Sequence, residues 1–422
     1  MHKSLLTALL LLIASAITCS AATQSKKVRK TLFVIIDGIP ADCLERLELP
    51  TLTDIAAHGA YSHAHCGGEV ATYSETPTIS AIGYTNILTG TWMNKHNVRG
   101  NENIHANYNY PTIFRIAKSQ ERRVTTAIYS SWTDNRTILL GEGLPQTGNL
   151  GIDFVRDGYD HDEVRFPKKP GDTHIQDIDR QICQEAAACI AADAPDLNWL
   201  YLWYPDDAFH YNGNGDIADK AVIEADRMLA QVWHAVKERE KSHGEEWLVI
   251  VTTDHGRENN GYNHGGQSAR ERRTWMSVSC DRKLLNGEFS PTLLAQVDIV
   301  PTICRFMDFS MPQSTAFEMD GIPFIGSADI HNLQALKYDD KAMLCWDVFS
   351  TVKHPRDIKA DIYYATTNNI KEGGKDVWHK LTTVSIADGR HLVDLPQLGG
   401  SKFYKFAVVS PSATLTKWFY AQ

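Results

Sequence analysis

Three nearly continuous apolar runs in this chain close in the same way. TLFVIIDG (Thr31 to Gly38), NWLYLWYPD (Asn198 to Asp206) and WLVIVTTDHG (Trp247 to Gly256) each end at or just after an aspartate. Strands that are apolar on both faces belong to parallel sheets covered by helices on each side, since a strand with one wet face alternates instead. Helical stretches such as DKAVIEADRMLAQVWHAVKERE lie between the runs. The pattern predicts an α/β fold: a mostly parallel sheet with helices on both faces. In open sheets of this kind the ligand crevice lies beyond the carboxyl ends of the strands, so Asp37, Asp206 and Asp254 should converge there.

From about Asp340 the texture changes to short alternating runs, KAMLCWDVFS, ADIYYATT, VWHKLTTVSI and KFYKFAVVS, separated by Gly, Asn and Pro turns. They predict a small all-β sandwich of roughly 80 residues. The organisation expected is an α/β domain over 28–330 and a sandwich over 338–422, with the stretch from Ser327 to Leu336 as linker. The first residues, MHKSLLTALLLLIASAITCSAATQSKK, combine a basic start, an apolar run from Leu5 to Ile17, and small residues at Ser20, Ala21 and Ala22. This predicts a signal peptide over 1–22 and a secreted or periplasmic protein. Lipid anchoring at Cys19 is the weaker alternative, because Thr18 suits that signal poorly. No other segment is long and apolar enough to span a bilayer.

The formal net charge of −9, with no basic tract to offset it, argues against a general nucleic-acid binder and makes duplex binding unexpected. The eight cysteines include no CxxC pair and no zinc-knuckle spacing, so cysteine ligation of a metal is not expected, and their pairing cannot be read from spacing.

Oxygen and nitrogen ligands are a different matter. YPDDAFHYNGNG sets Asp206 and His210 four apart, on one face of a helical turn. TTDHG supplies Asp254 and His255, and GYNHGG places His264 on a glycine-flanked loop. Carboxylates and imidazoles are the ligands that zinc and similar cations take at catalytic sites. With Asp37 the set has six members, enough for two metals. A lone DxxxH or DH is ordinarily a capping aspartate or a satisfied histidine. Joint placement after strands reverses that judgement.

Between them lies TPTISAIGYTNILTG (Thr76 to Gly90), uncharged and rich in hydroxyls. Ser80 opens its apolar-periodic run, where capping is the ordinary role of a serine. The free N–H groups and dipole of a helix start also favour a bound phosphate.

The order and neighbours of these residues from Thr31 to Gly326, together with VDIVPTICRFMD and MDGIPF, resemble the alkaline phosphatase superfamily, in particular its nucleotide pyrophosphatase/phosphodiesterase branch. The resemblance implies that Asp37, Asp254 and His255 hold one divalent metal ion and Asp206, His210 and His264 the other, with zinc expected for both. That branch often draws its last histidine from further along the chain, which makes His331 the runner-up to His264. Ser80 stands ten positions before Gly90 of the family-typical TG, where the superfamily keeps its nucleophile. The Pro and Arg that follow it in sulfatases are missing. Asn101, in NVRGNENI, falls where the branch has an asparagine that helps hold the phosphoryl oxygens, and a turn asparagine beside Gly100 is its ordinary reading. The chain beyond Asp340 resembles a fibronectin type III-like module.

The function implied is that of a secreted, metal-dependent phosphoric ester hydrolase. A phosphodiesterase or nucleotide pyrophosphatase working through a phosphoseryl intermediate comes first, acting on a small phosphate ester such as a nucleotide. A phosphomonoesterase is the alternative. A serine hydrolase using Ser80 and His255 lacks the G-x-S-x-G elbow. A non-catalytic surface binding protein on a degenerate scaffold is the most distant reading.

Overall fold

The computed structural model describes residues 27–286 and 294–421. The predicted signal peptide and Cys19 lie outside the described residues. Seven strands make the first sheet: β1 (Arg29–Ile36), β2 (Gly59–His65), β3 (Thr126–Ser130), β4 (Phe154–Arg156), β5 (Leu197–Leu202), β6 (Glu246–Thr252) and β7 (Arg273–Ser279). Their order is β2-β7-β6-β1-β5-β3-β4. The five strands from β6 to β4 are parallel, while β7 runs antiparallel to both β6 and β2. Thus β6, β1 and β5, the strands that lead to the three aspartates, are neighbours at the middle of the sheet.

Their continuous apolar character follows from burial on two sides. Leu32, Val34 and Ile36 of β1 enter one core, shared with the helices His174–Ala192 and Asp216–His243. Phe33 and Ile35 enter the other, shared with the helices Ser80–Thr89 and Ile299–Met307. At about 1.5–3 kcal/mol for each large apolar side chain fully buried, a polar residue on either face of β1 would be costly. The rigid centre so formed holds the strand ends in place.

The C-terminal part is a sandwich of β8 (Ile330–Tyr338), β9 (Lys341–Val348), β10 (Lys359–Ala365), β11 (His379–Ser385), β12 (Arg390–Asp394), β13 (Phe403–Val409) and β14 (Thr414–Tyr420). The sheets are β11-β10-β13-β14 and β12-β9-β8, all antiparallel. Leu344, Trp346, Ile362, Tyr404 and Phe406 fill the space between them. The stretch read as a linker carries most of β8. A register shift between His331 and Gln334 interrupts its two-residue period, so the alternation that marks the other strands is missing there.

The sandwich docks through buried charge. Lys405 Nζ lies 2.6 Å from Glu318 Oε1 and 2.9 Å from Asp376 Oδ2. Tyr73, in the segment between β2 and Ser80, stacks on Trp418 with ring centroids 5.4 Å apart. Among the described residues no helix is long and apolar enough to cross a membrane, and the seven described cysteines are free.

Candidate active site

Asp37 directly follows β1, and Asp254 and His255 follow β6. Asp206 and His210 ride on the helix Tyr204–Asn212 after β5, with Asp206 in its first turn. His264 comes from the loop between β6 and β7. Ser80 is the first residue of the helix Ser80–Thr89. The N-cap position there is Ile79, which makes no side-chain cap, so the Ser80 hydroxyl is not spent on capping. Gly83 lets this helix lie against the Asp254 backbone, because a Cβ at that position would be 2.7 Å from the Asp254 carbonyl oxygen.

The structure gathers all six candidate ligands. Ligand atoms of Asp37, Asp254 and His255 lie within 4.8 Å of one another, as do those of Asp206, His255 and His264. Nε2 of His255 is 3.2 Å from Asp254 Oδ2 and 3.7 Å from Asp37 Oδ1. Nε2 of His210 is 3.2 Å from Asp206 Oδ2 and 3.1 Å from Nε2 of His264. Ser80 Oγ sits 3.2 Å from Nε2 of His255. His331 stands apart, on β8 of the sandwich, with its ring against Phe349.

The residues fit a divalent cation on evidence independent of sequence. Asp37 Oδ1 and Asp254 Oδ2 are buried without a hydrogen-bond partner. Each carboxylate has its other oxygen satisfied: Tyr84 and Tyr201 both donate to Asp37 Oδ2, the latter at 2.7 Å, and the Gly38 N–H donates to Asp254 Oδ1 at 3.0 Å. A buried anionic oxygen left unpaired is costly unless a positive charge meets it. The histidines are also prepared. Nδ1 of His255 faces the Gly256 carbonyl at 2.9 Å and Nδ1 of His264 the Thr78 carbonyl at 2.7 Å. Carbonyls only accept, so each Nδ1 carries the proton and each Nε2 offers a lone pair to the group.

Electrostatics agree. Burial, then the charges of Asp254 and Asp206, push the Asp37 carboxyl well above the usual range. Burial, with a contribution from Asp206, lifts Asp254 to about 7. Burial also lowers His255 and His264, keeping both neutral as ligands must be. Asp206 goes the other way: burial raises it, but the Arg257 guanidinium and a hydrogen bond from His210 outweigh that and hold it below the carboxylate range.

Asn101 is next to Ser80, its Oδ1 accepting the Ala81 N–H at 2.9 Å. Sequence reasoning missed Tyr84, Tyr201, Thr78 and Arg257. The first two are visible in hindsight as polar-tipped rings inside apolar runs, four residues after Ser80 and one before the end of β5. Arg257 follows DHG in a polar loop, and nothing in its neighbours marks it as buried.

The profile of the type I phosphodiesterase / nucleotide pyrophosphatase family matches residues 31–278. GPI ethanolamine phosphate transferase 2 of Schizosaccharomyces pombe is 24% identical over 115 residues, covering 24% of this chain and 15% of that protein. The chain therefore matches only a small part of that relative. Among solved structures, a 2-O GAG sulfatase superposes with a TM-score of 0.48 at 12% identity, over 89% of this chain and 86% of that one. Human ectonucleotide pyrophosphatase / phosphodiesterase 5 superposes with a TM-score of 0.45 at 12% identity, over 68% and 96%.

Proposed function

This chain belongs to the type I phosphodiesterase / nucleotide pyrophosphatase family, and from that premise we propose that it is an exported, metal-dependent hydrolase of phosphodiesters or nucleotide pyrophosphates, with Ser80 as nucleophile. The observation that carries this reading is a convergence. The orphaned oxygens of Asp37 and Asp254 and the hydroxyl of Ser80 all face one nitrogen, Nε2 of His255.

Asp37, Asp254 and His255 would hold one divalent cation, and Asp206, His210 and His264 a second, with zinc expected at both. Such ions lower the pKa of a serine hydroxyl or a water and neutralise phosphoryl charge. Ser80 Oγ attacks phosphorus, forming its O–P bond as the bond to the leaving oxygen breaks, and water then hydrolyses the phosphoserine. Asn101 has its Oδ1 committed to Ala81, so its amide nitrogen is the donor left for a phosphoryl oxygen.

Two details select among alternatives. In a serine–histidine–aspartate triad the carboxylate holds Nδ1 of the base. Here Nδ1 of His255 meets a backbone carbonyl and both carboxylates lie at Nε2, which supports ligation over acyl transfer. The guanidinium at the site, that of Arg257, donates to protein oxygens throughout, leaving no donor for the extra charge of a monoester. That favours diesters over monoesters. A ligand set this complete argues against a degenerate binding scaffold.

The test is hydrolysis of matched aryl phosphate diester, monoester and sulfate by zinc-loaded protein, beside Ser80→Ala and chelated controls. Diester preference, lost in both controls, is the expected result. Turnover that survives the chelator contradicts the reading.

A further inference from the structure

Arg257 is fully buried three residues beyond Asp254. Its Nε donates to the Gly38 carbonyl at 2.9 Å. Nη1 faces the carbonyls of Gly261 and Tyr262 at 3.4 and 3.2 Å, and Nη2 donates to the Asp206 carbonyl at 3.0 Å and to Asp206 Oδ1. The Phe209 ring lies beneath it, 5.0 Å from the guanidinium carbon. These acceptors belong to three segments: the turn that carries Asp37, the helix that carries Asp206 and His210, and the loop that leads to His264. Gly38 makes the arrangement possible. Its φ is +64°, and a Cβ there would collide with both the Asp206 carboxylate and the Arg257 guanidinium.

The two halves of the site therefore differ in charge. Asp37 and Asp254 offer two carboxylates whose free oxygens meet no cationic side chain. Asp206 offers one carboxylate, already paired with Arg257 through Oδ1. We propose that Arg257 is a positioning residue that makes the halves unequal. By keeping Asp206 Oδ1 for itself and adding a fixed positive charge, it makes the Asp206–His210–His264 half take its divalent ion more weakly than the Asp37–Asp254–His255 half. This inference rests on the metal-dependent reading above and adds to it an order of filling.

Calorimetric titration of zinc into the metal-stripped full chain tests it. The wild type is expected to show two steps, and His264→Ala should remove the weaker one. Arg257→Met should tighten the weaker step by at least about tenfold while leaving the stronger in place, because a fixed charge nearby has been removed. Arg257→Lys keeps the charge and should leave that step weak, although a single ammonium cannot reproduce the clamp. An unchanged or weakened second step in Arg257→Met overturns the proposal while the hydrolase reading stands. Should Arg257→Met fail to fold, His264→Ala still decides: loss of the tighter step contradicts the order of filling. Absence of any zinc step in the wild type overturns the hydrolase reading and this inference with it.

Discussion

Ser80 Oγ lies 3.2 Å from Nε2 of His255, on the edge of the ring that also faces Asp37 Oδ1 and Asp254 Oδ2. The hydroxyl is therefore placed among the candidate ligands without itself holding the fold together. Ser80→Ala should lower turnover on the order of 10³-fold or more, as removal of a nucleophile does, while zinc stoichiometry and melting temperature stay near those of the wild type. Activity close to wild type would remove Ser80 from the chemistry.

Metal removal should expose a pH dependence. Asp37 and Asp254 have folded values raised above the unfolded one, with Asp254 at about 7, so the metal-free fold holds protons that the unfolded chain releases near pH 4. The contribution of Asp254 to metal-free stability falls as pH rises from about 4 through about 7, and that of Asp37 falls in the same direction. Bound metal needs the same carboxyls ionised and reverses the preference. The gap in melting temperature between loaded and chelated protein should thus widen from about pH 5.5 to about pH 8. A gap independent of pH would count against these two residues as ligands.

Tyr201→Phe removes one of two donors to Asp37 Oδ2 and leaves Tyr84 in place. Stability should fall by about 1 kcal/mol. Zinc affinity of the tighter step should fall by roughly 10–100-fold, the usual effect of losing a group that orients a ligand. Activity restored by excess zinc would distinguish this from a damaged fold.

Lys405 is 1% exposed, and its partners Glu318 and Asp376 are 4% and 3% exposed. Lys405→Met should cost roughly 3–5 kcal/mol in urea unfolding, because it leaves two buried carboxylates without their cation. A loss below about 1 kcal/mol, the worth of an exposed pair, would show that the contact is open to water.

Much of the site was legible because its chemistry sits where the backbone is most constrained. Asp37 and Asp254 follow central strands whose apolar runs announce themselves, and Asp206 with His210 need only a helical turn after the third. His264 could be told from His331 only by the structure, since loop length does not say where a loop returns. Arg257 was illegible for a similar reason. Its burial depends on meeting Gly38, Asp206 and Tyr262, residues from three separate segments whose approach no local pattern encodes. At β8 the bulge between His331 and Gln334 removed the alternation by which strands are recognised.

The most direct test of the central claim is to quench zinc-loaded protein in acid during turnover of an aryl phosphodiester and map the modified peptide by mass spectrometry. A phosphoryl-ester adduct on Ser80, absent after chelation and absent from Ser80→Ala, is the predicted result. An adduct on another residue, or turnover undiminished in Ser80→Ala, would contradict it.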